Sequence, residues 1–289
     1  MKLTHIFLAL LVALFWGVNF SVMKIAIQSV PPILFTGLRG LVVASLALFI
    51  RKPNVSWTII LSLGTLIGMA KFGCLLLGMH YGMPAGLASI VLQTQSLFSV
   101  LIALCFFKEV PKINRILGMG MAFIGMFLIA EQIQCPASFI GFLLVLLAAL
   151  FWALSNILIQ KSNTQDMLGL VVWFSLVPPI PLFLGSYIFE GPDQILQAFH
   201  NIRYETIILL LSSSLFSIIG GYSLWGYLLK RYSIAVVAPF SLLVPIFGLS
   251  TSYFCLEEQF SERTLLGVAI VIIGLAVNQL RKPAFLKKS

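Results

Sequence analysis

Two basic residues interrupt runs that are otherwise suited to hydrocarbon. Lys71 falls in TLIGMAKFGCLLLG, residues 65–78, and Arg39 in PPILFTGLRG, residues 31–40. A cation near the middle of a membrane-embedded helix costs about 2.5–3.5 kcal/mol on insertion scales, so such residues mark solute or ion pathways by default. Arg39 lies six residues into its apolar block and Lys71 nine residues from the same side of the next. At 1.5 Å per residue these are depths of about 9 and 13 Å. Trp16 and Asn19 on the first block, and Gln93 and Gln95 on the fourth, reach comparable depths and complete a polar ring with an indole. Lys71 also shares a helix face with Gly64, Gly68 and Gly78, which points it into protein rather than lipid. That arrangement predicts a glycine-lined cavity.

The chemistry such a ring can perform is recognition. No Asp or Glu falls near the middle of a block: Glu131 closes the fifth, and Glu109, Glu257, Glu258 and Glu262 sit at block ends. A proton carrier built on a midplane carboxylate is therefore not supported. A solute carboxylate is instead the natural counter-charge for Arg39 or Lys71. A second reading stands beside this one for each residue. Arg39 can snorkel to an interface or pair with Glu131, and Gln93 and Gln95 can serve inter-helix bonds alone. Trp16 and its counterpart Trp152 can have a shared structural role, while Tyr222 and Trp225, flanking Gly220 and Gly221, are weaker candidates.

The elements that must hold these residues are membrane helices. The 289 residues are 60% hydrophobic and 9% charged, with a mean hydropathy of +1.06, against about a quarter charged in soluble domains. Ten blocks of crossing length are read at 4–24, 33–50, 58–80, 85–107, 115–131, 138–160, 168–189, 205–229, 233–255 and 264–280. The first resembles a signal peptide in its leading lysine, but it continues for a full crossing and no small-residue cleavage site closes it. With the N-terminus inside, 13 basic residues flank the cytoplasmic ends and only Lys24, Arg203 and Arg263 the other side. The positive-inside rule then places both termini in the cytoplasm. This distribution accounts for the net charge of +9 without nucleic acid. The scattered His5, His80 and His200 and four unpaired cysteines indicate no metal site, and no phosphate-binding GxxxxGK[ST] loop is present. No cofactor is expected.

A repeat organises the chain. LALLVALFW at 8–16 matches LVLLAALFW at 144–152 in seven of nine positions. Glu109, Leu117-Gly118 and Ile124-Gly125 reappear as Glu258, Leu266-Gly267 and Ile273-Gly274 at an offset of 149. The expected fold is all-α, with two five-helix halves at 1–132 and 138–282 and a basic tail at 283–289. Because five is odd, the halves must be inverted-topology repeats, a pattern that places a carrier's solute site near the midplane between them. Helix breakers fall where such a carrier can use them: Pro178, Pro179 and Pro181 in the seventh block, Gly220-Gly221 in the eighth, Pro239 and Pro245 in the ninth. Each can equally be a packing kink. Gly78, Gly82 and Gly86, spaced by four, favour close helix approach.

FWGVNFSVMK, PPILFTGLRG, YGMPAGLASIVLQTQSLF and APFSLLVPIFGLSTSYF resemble the EamA-type branch of the drug/metabolite transporter superfamily, and most of all its bacterial O-acetylserine/cysteine exporters. The similarity spans essentially the whole chain. It implies the ten-span inverted-repeat fold and supports Trp16, Asn19, Arg39, Gln93 and Gln95 as motif residues. Lys71 departs from the pattern, since the similar exporters tend to carry a neutral polar residue there. The function expected is secondary export of small amino-acid-like metabolites across a bacterial inner membrane, with lipid and a small solute as partners and a homodimer as a further expectation. The alternatives are efflux of aromatic amino acids, amphipathic drugs or S-adenosylmethionine. An integral membrane enzyme needs convergent His, Asp or Glu at one depth, which the sequence lacks.

Overall fold

A computed structural model of the chain describes residues 1–107, 113–131, 136–229, 231–232 and 234–279; the expected basic tail and Glu109 lie outside them. Among the described residues there are helices and no strands. They are α1 (Leu3–Ala26), α2 (Pro32–Ala44) with a 3-10 turn over Ser45–Leu48, and α3 (Trp57–His80). Next come α4 in two pieces (Ala85–Leu92 and Gln95–Phe107), α5 (Ile113–Glu131) and α6 (Pro136–Ser162). The rest are α7 in two pieces (Met167–Phe174 and Pro179–Phe189), α8 (Pro192–His200), α9 (Tyr204–Leu229), α10 (Val244–Leu256) and α11 (Glu262–Gln279).

Six of these stretches are long and apolar enough to cross a membrane: α1, α3, Ala85–Ile102, Ser138–Ser162, α7 and α9. Pro32–Leu48, Ile116–Glu131 and Phe240–Leu256 are apolar but shorter. Large side chains such as Phe7, Leu48, Phe127, Phe189 and Phe254 stand exposed on the outside, as they must where the solvent is lipid. The polar link read after residue 189 contains an additional amphipathic helix, α8, with Ala198 buried and Leu196 and Phe199 exposed. Such a face suits the membrane interface.

Repeat residues make the tightest helix contacts. α5 and α11 run antiparallel, so that a Cβ on Gly118 would meet Gly274 O at 2.5 Å and one on Gly125 would meet Gly267 O at 2.5 Å. These four glycines are the pairs matched at the 149-residue offset. Neighbour relations repeat as well: α1 packs on α10 and α9, and α6 packs on α4 and α3. The glycines spaced by four do three separate jobs. Gly78 meets α6 at Gly141, Gly86 meets α10 at Ser252, and Gly82 adopts φ +98° in the α3–α4 turn. Two carboxylates cap helices across the fold, Glu190 accepting from Ile33 N and Leu34 N, and Glu258 from Ala85 N and Gly86 N. Each satisfies N–H groups that have no partner within their own helix.

Candidate functional site

The helices that carry the expected residues are irregular at matched positions. Residues Gly64–Lys71 of α3 and Ser213–Gly220 of α9 are π-helical, and the two segments correspond at the 149-residue offset. α4 is interrupted at Gln93–Thr94; the corresponding residues Leu242 and Leu243 end a 3-10 stretch, Ala238–Leu243, that leads into α10. π-turns widen a helix and concentrate at functional sites, and interrupted helices at corresponding places in two halves point to a transporter's solute site. Gly220-Gly221, expected as a break, is instead the junction where the π segment returns to α-helix. The break in α7, between Phe174 and Pro179, matches its prolines, which remove backbone donors.

This irregular backbone brings the two cations together. Arg39 is 1% exposed and Lys71 4%. The Arg39 guanidinium carbon and the Lys71 ammonium each lie 4.4 Å from the centroid of the Phe72 ring. They are therefore no more than twice that distance apart. Lys71 also sits 3.9 Å from the centroid of a Trp152 ring. Arg39 Nη1 donates to Met23 Sδ at 3.3 Å, while its Nε and Nη2 have no hydrogen-bond partner among the described residues. Glu131, the sequence-level alternative partner for Arg39, lines a different cavity. Aromatic faces attract cations, but they do not replace the acceptors that a buried guanidinium needs.

The space beside Arg39 is small, about 20 Å³ among Thr36, Ile67, Phe72, Ser175, Pro178 and Tyr222. That holds about one water, so the site is closed around the cation. Gly40 and Gly68 are among its lining residues, whereas Gly64 packs on Val177 and Lys71 lies outside that lining. A larger cavity of about 560 Å³ lies between α4, α5 and α6. Its walls are almost wholly apolar, with Thr94 and Glu131 the polar side chains among its lining residues. It offers hydrocarbon contact but no cation, and none of the expected site residues lines it.

The other expected residues divide into two groups. Tyr222 lines the cavity with Arg39 and carries the aromatic contacts outward: the Trp16 ring lies 5.6 Å from Tyr222 and 5.4 Å from Trp225. Trp16 Nε1 donates to Ser217 O at 3.0 Å, fixing this group against the α9 π segment. Asn19, Gln93 and Gln95, expected to bond a solute, make bonds between helices. Asn19 Oδ1 accepts from Ser213 Oγ at 2.6 Å. Gln93 Nε2 donates to Ser241 O at 2.6 Å, and Gln95 Oε1 accepts from Asn156 Nδ2 at 2.7 Å. Gln93 thus binds toward α10 and Gln95 toward α6, because the interruption of α4 lies between them. The sequence reading missed Met23, Phe72, Asn156 and the serines. The run SSSLFS at 212–217, dense in hydroxyls for a membrane helix, is the signal that marked the serines.

Comparison with known proteins fits this geometry. The family model for the "EamA-like transporter family" matches residues 3–130 and again 139–279, once in each half. A "Probable amino-acid metabolite efflux pump" of Salmonella typhimurium is 39% identical over 279 residues, covering 94% of this chain and 93% of its own. A protein of the same name from Escherichia coli is 36% identical over 278 residues, covering 94% and 93%. One crystal structure, 15% identical, superposes with a TM-score of 0.62 over 96% of this chain and 98% of its own, a likeness of fold. The two family matches, which together cover most of the chain, and the relatives of 39% and 36% identity lead to one conclusion: this chain is a multi-pass bacterial inner-membrane protein that belongs to the EamA-like transporter family.

Proposed function

We propose that the protein is a secondary exporter of small amino-acid-like metabolites, of the cysteine and O-acetylserine class, working by alternating access. The observation that carries this reading is the buried Arg39–Lys71 pair, which lacks a carboxylate partner among the described residues and adjoins π segments at matched positions in both halves. In the proposed topology ten helices form two inverted five-helix repeats with both termini cytoplasmic, supported by the bias of basic residues and by the antiparallel α5–α11 pair. The solute carboxylate takes Arg39 or Lys71, with Trp152, Tyr222 and Trp16 as the wall. Asn19, Gln93 and Gln95 exchange their inter-helix bonds for solute bonds when the halves rock apart. The names of the two efflux-pump relatives support both the direction and the amino-acid character of the cargo.

The contiguous Trp16–Tyr222–Trp225 group favours a second cargo, aromatic amino acids, on the same fold. Counterflow decides between them. Proteoliposomes preloaded with unlabelled cysteine or O-acetylserine should accumulate the labelled solute well above empty-vesicle controls. Accumulation of an aromatic amino acid with no entry of either thiol-pathway solute would replace the first cargo with the second.

A further inference from the structure

Arg39 and Lys71 together offer two cationic groups, of which the single carboxylate of a zwitterionic solute answers one. Arg39, 1% exposed and lining the closed cavity, has one nitrogen engaged by Met23 Sδ; its Nε and Nη2 have no partner among the described residues. Those two nitrogens share one edge of the planar guanidinium, the edge that accepts a carboxylate through two parallel N–H···O bonds. Donors buried this deeply are almost always satisfied. Lys71, 4% exposed, is held against the rings of Phe72 and Trp152 with no hydrogen-bond acceptor among the described residues. Glu190 and Glu258 are engaged at helix starts, and Glu131 lies on the apolar cavity. A zwitterion would bring a third cation into a site whose nearby aromatic faces already serve two.

Building on the transport reading above, we propose that the preferred solute is a small amino-acid metabolite of net negative charge. One carboxylate occupies the Nε–Nη2 edge of Arg39, and a second anionic group faces Lys71. The common contact of both cations with Phe72, 4.4 Å from its centroid in each case, caps their separation at twice that distance, within reach of two acidic groups separated by a few carbon atoms. Lys71 is then the residue that selects anionic over zwitterionic solutes, while the bidentate edge of Arg39 serves both.

The test compares labelled aspartate with labelled O-acetylserine in counterflow on wild type, Lys71→Gln and Lys71→Arg. Wild type should half-saturate with aspartate at about tenfold lower concentration than with O-acetylserine, the advantage of one additional charge-assisted contact. Lys71→Gln should abolish that ratio and Lys71→Arg should keep it. Succinate, which has two carboxylates and no amine, should compete with aspartate on wild type. Entry of aspartate alone would support the charge assignment and displace the cysteine-class cargo. Entry of O-acetylserine with no advantage for aspartate, or an advantage that survives Lys71→Gln, would overturn this inference and leave the transport reading standing. Entry of neither, with an aromatic amino acid accumulating in the same vesicles, would overturn this inference and the cysteine-class cargo and leave the transport reading standing.

Discussion

Arg39 and Lys71 stay buried because large residues close around them, not because opposite charges neutralise them. Phe72 is shared between the two, Trp152 covers Lys71, and Met23 offers Arg39 a weak sulfur acceptor. Cation–π contacts return about 0.5–2 kcal/mol each, so the one ring contact of Arg39 falls short of an insertion cost of about 2.5–3.5 kcal/mol, and the two of Lys71 roughly offset it at best. The site is thus kept at the expense of stability. Lys71→Met, similar in volume and uncharged, should raise stability by about 1 kcal/mol or more, read as a higher Tm in detergent with transport impaired. A lower Tm would mean that Lys71 has a structural partner. Sequence alone flagged both cations, because charge inside an apolar run is visible in one dimension. Met23 and Phe72 stayed hidden, since apolar residues among apolar residues carry no mark until the fold shows which of them touch a charge.

At the scale of elements, the repeat was legible through Gly118, Gly125, Gly267 and Gly274, and the structure gives those matches a physical role as the α5–α11 crossing. Gly125→Leu should destabilise the protein by about 2 kcal/mol or more, because its Cβ would meet Gly267 O at 2.5 Å and backbone cannot step aside. Gly120→Leu, with nothing within 4 Å of its Cβ, is the control and should leave the Tm within about 0.5 kcal/mol equivalent. Equal losses in both would place the effect in helix propensity or lipid contact. The π segments Gly64–Lys71 and Ser213–Gly220 were not legible. Hydrophobic periodicity barely separates π from α over eight residues, and widening of this kind follows from what packs around the helix. The interruption of α4 at Gln93–Thr94 was equally silent, since neither residue is a helix breaker.

For the whole molecule, the proposed alternating access makes the closed cavity beside Arg39 one state of a cycle in which the two halves expose the cation pair to each side in turn. The cavity between α4, α5 and α6 has almost wholly apolar walls and no cation among its lining residues, so the proposed cycle is not routed through it. Ser175 reports most directly on that cycle. It is 4% exposed, lines the closed cavity, sits where α7 is interrupted, and differs from cysteine only in its oxygen. The decisive measurement is labelling of Ser175→Cys with a membrane-impermeant thiol reagent in vesicles of known orientation, with the native cysteines replaced by serine. Alternating access at this site predicts reaction from either side of the membrane and protection by transported solute on both. Reaction from one side only, or labelling that solute never slows, would contradict a central site at Arg39 and Lys71.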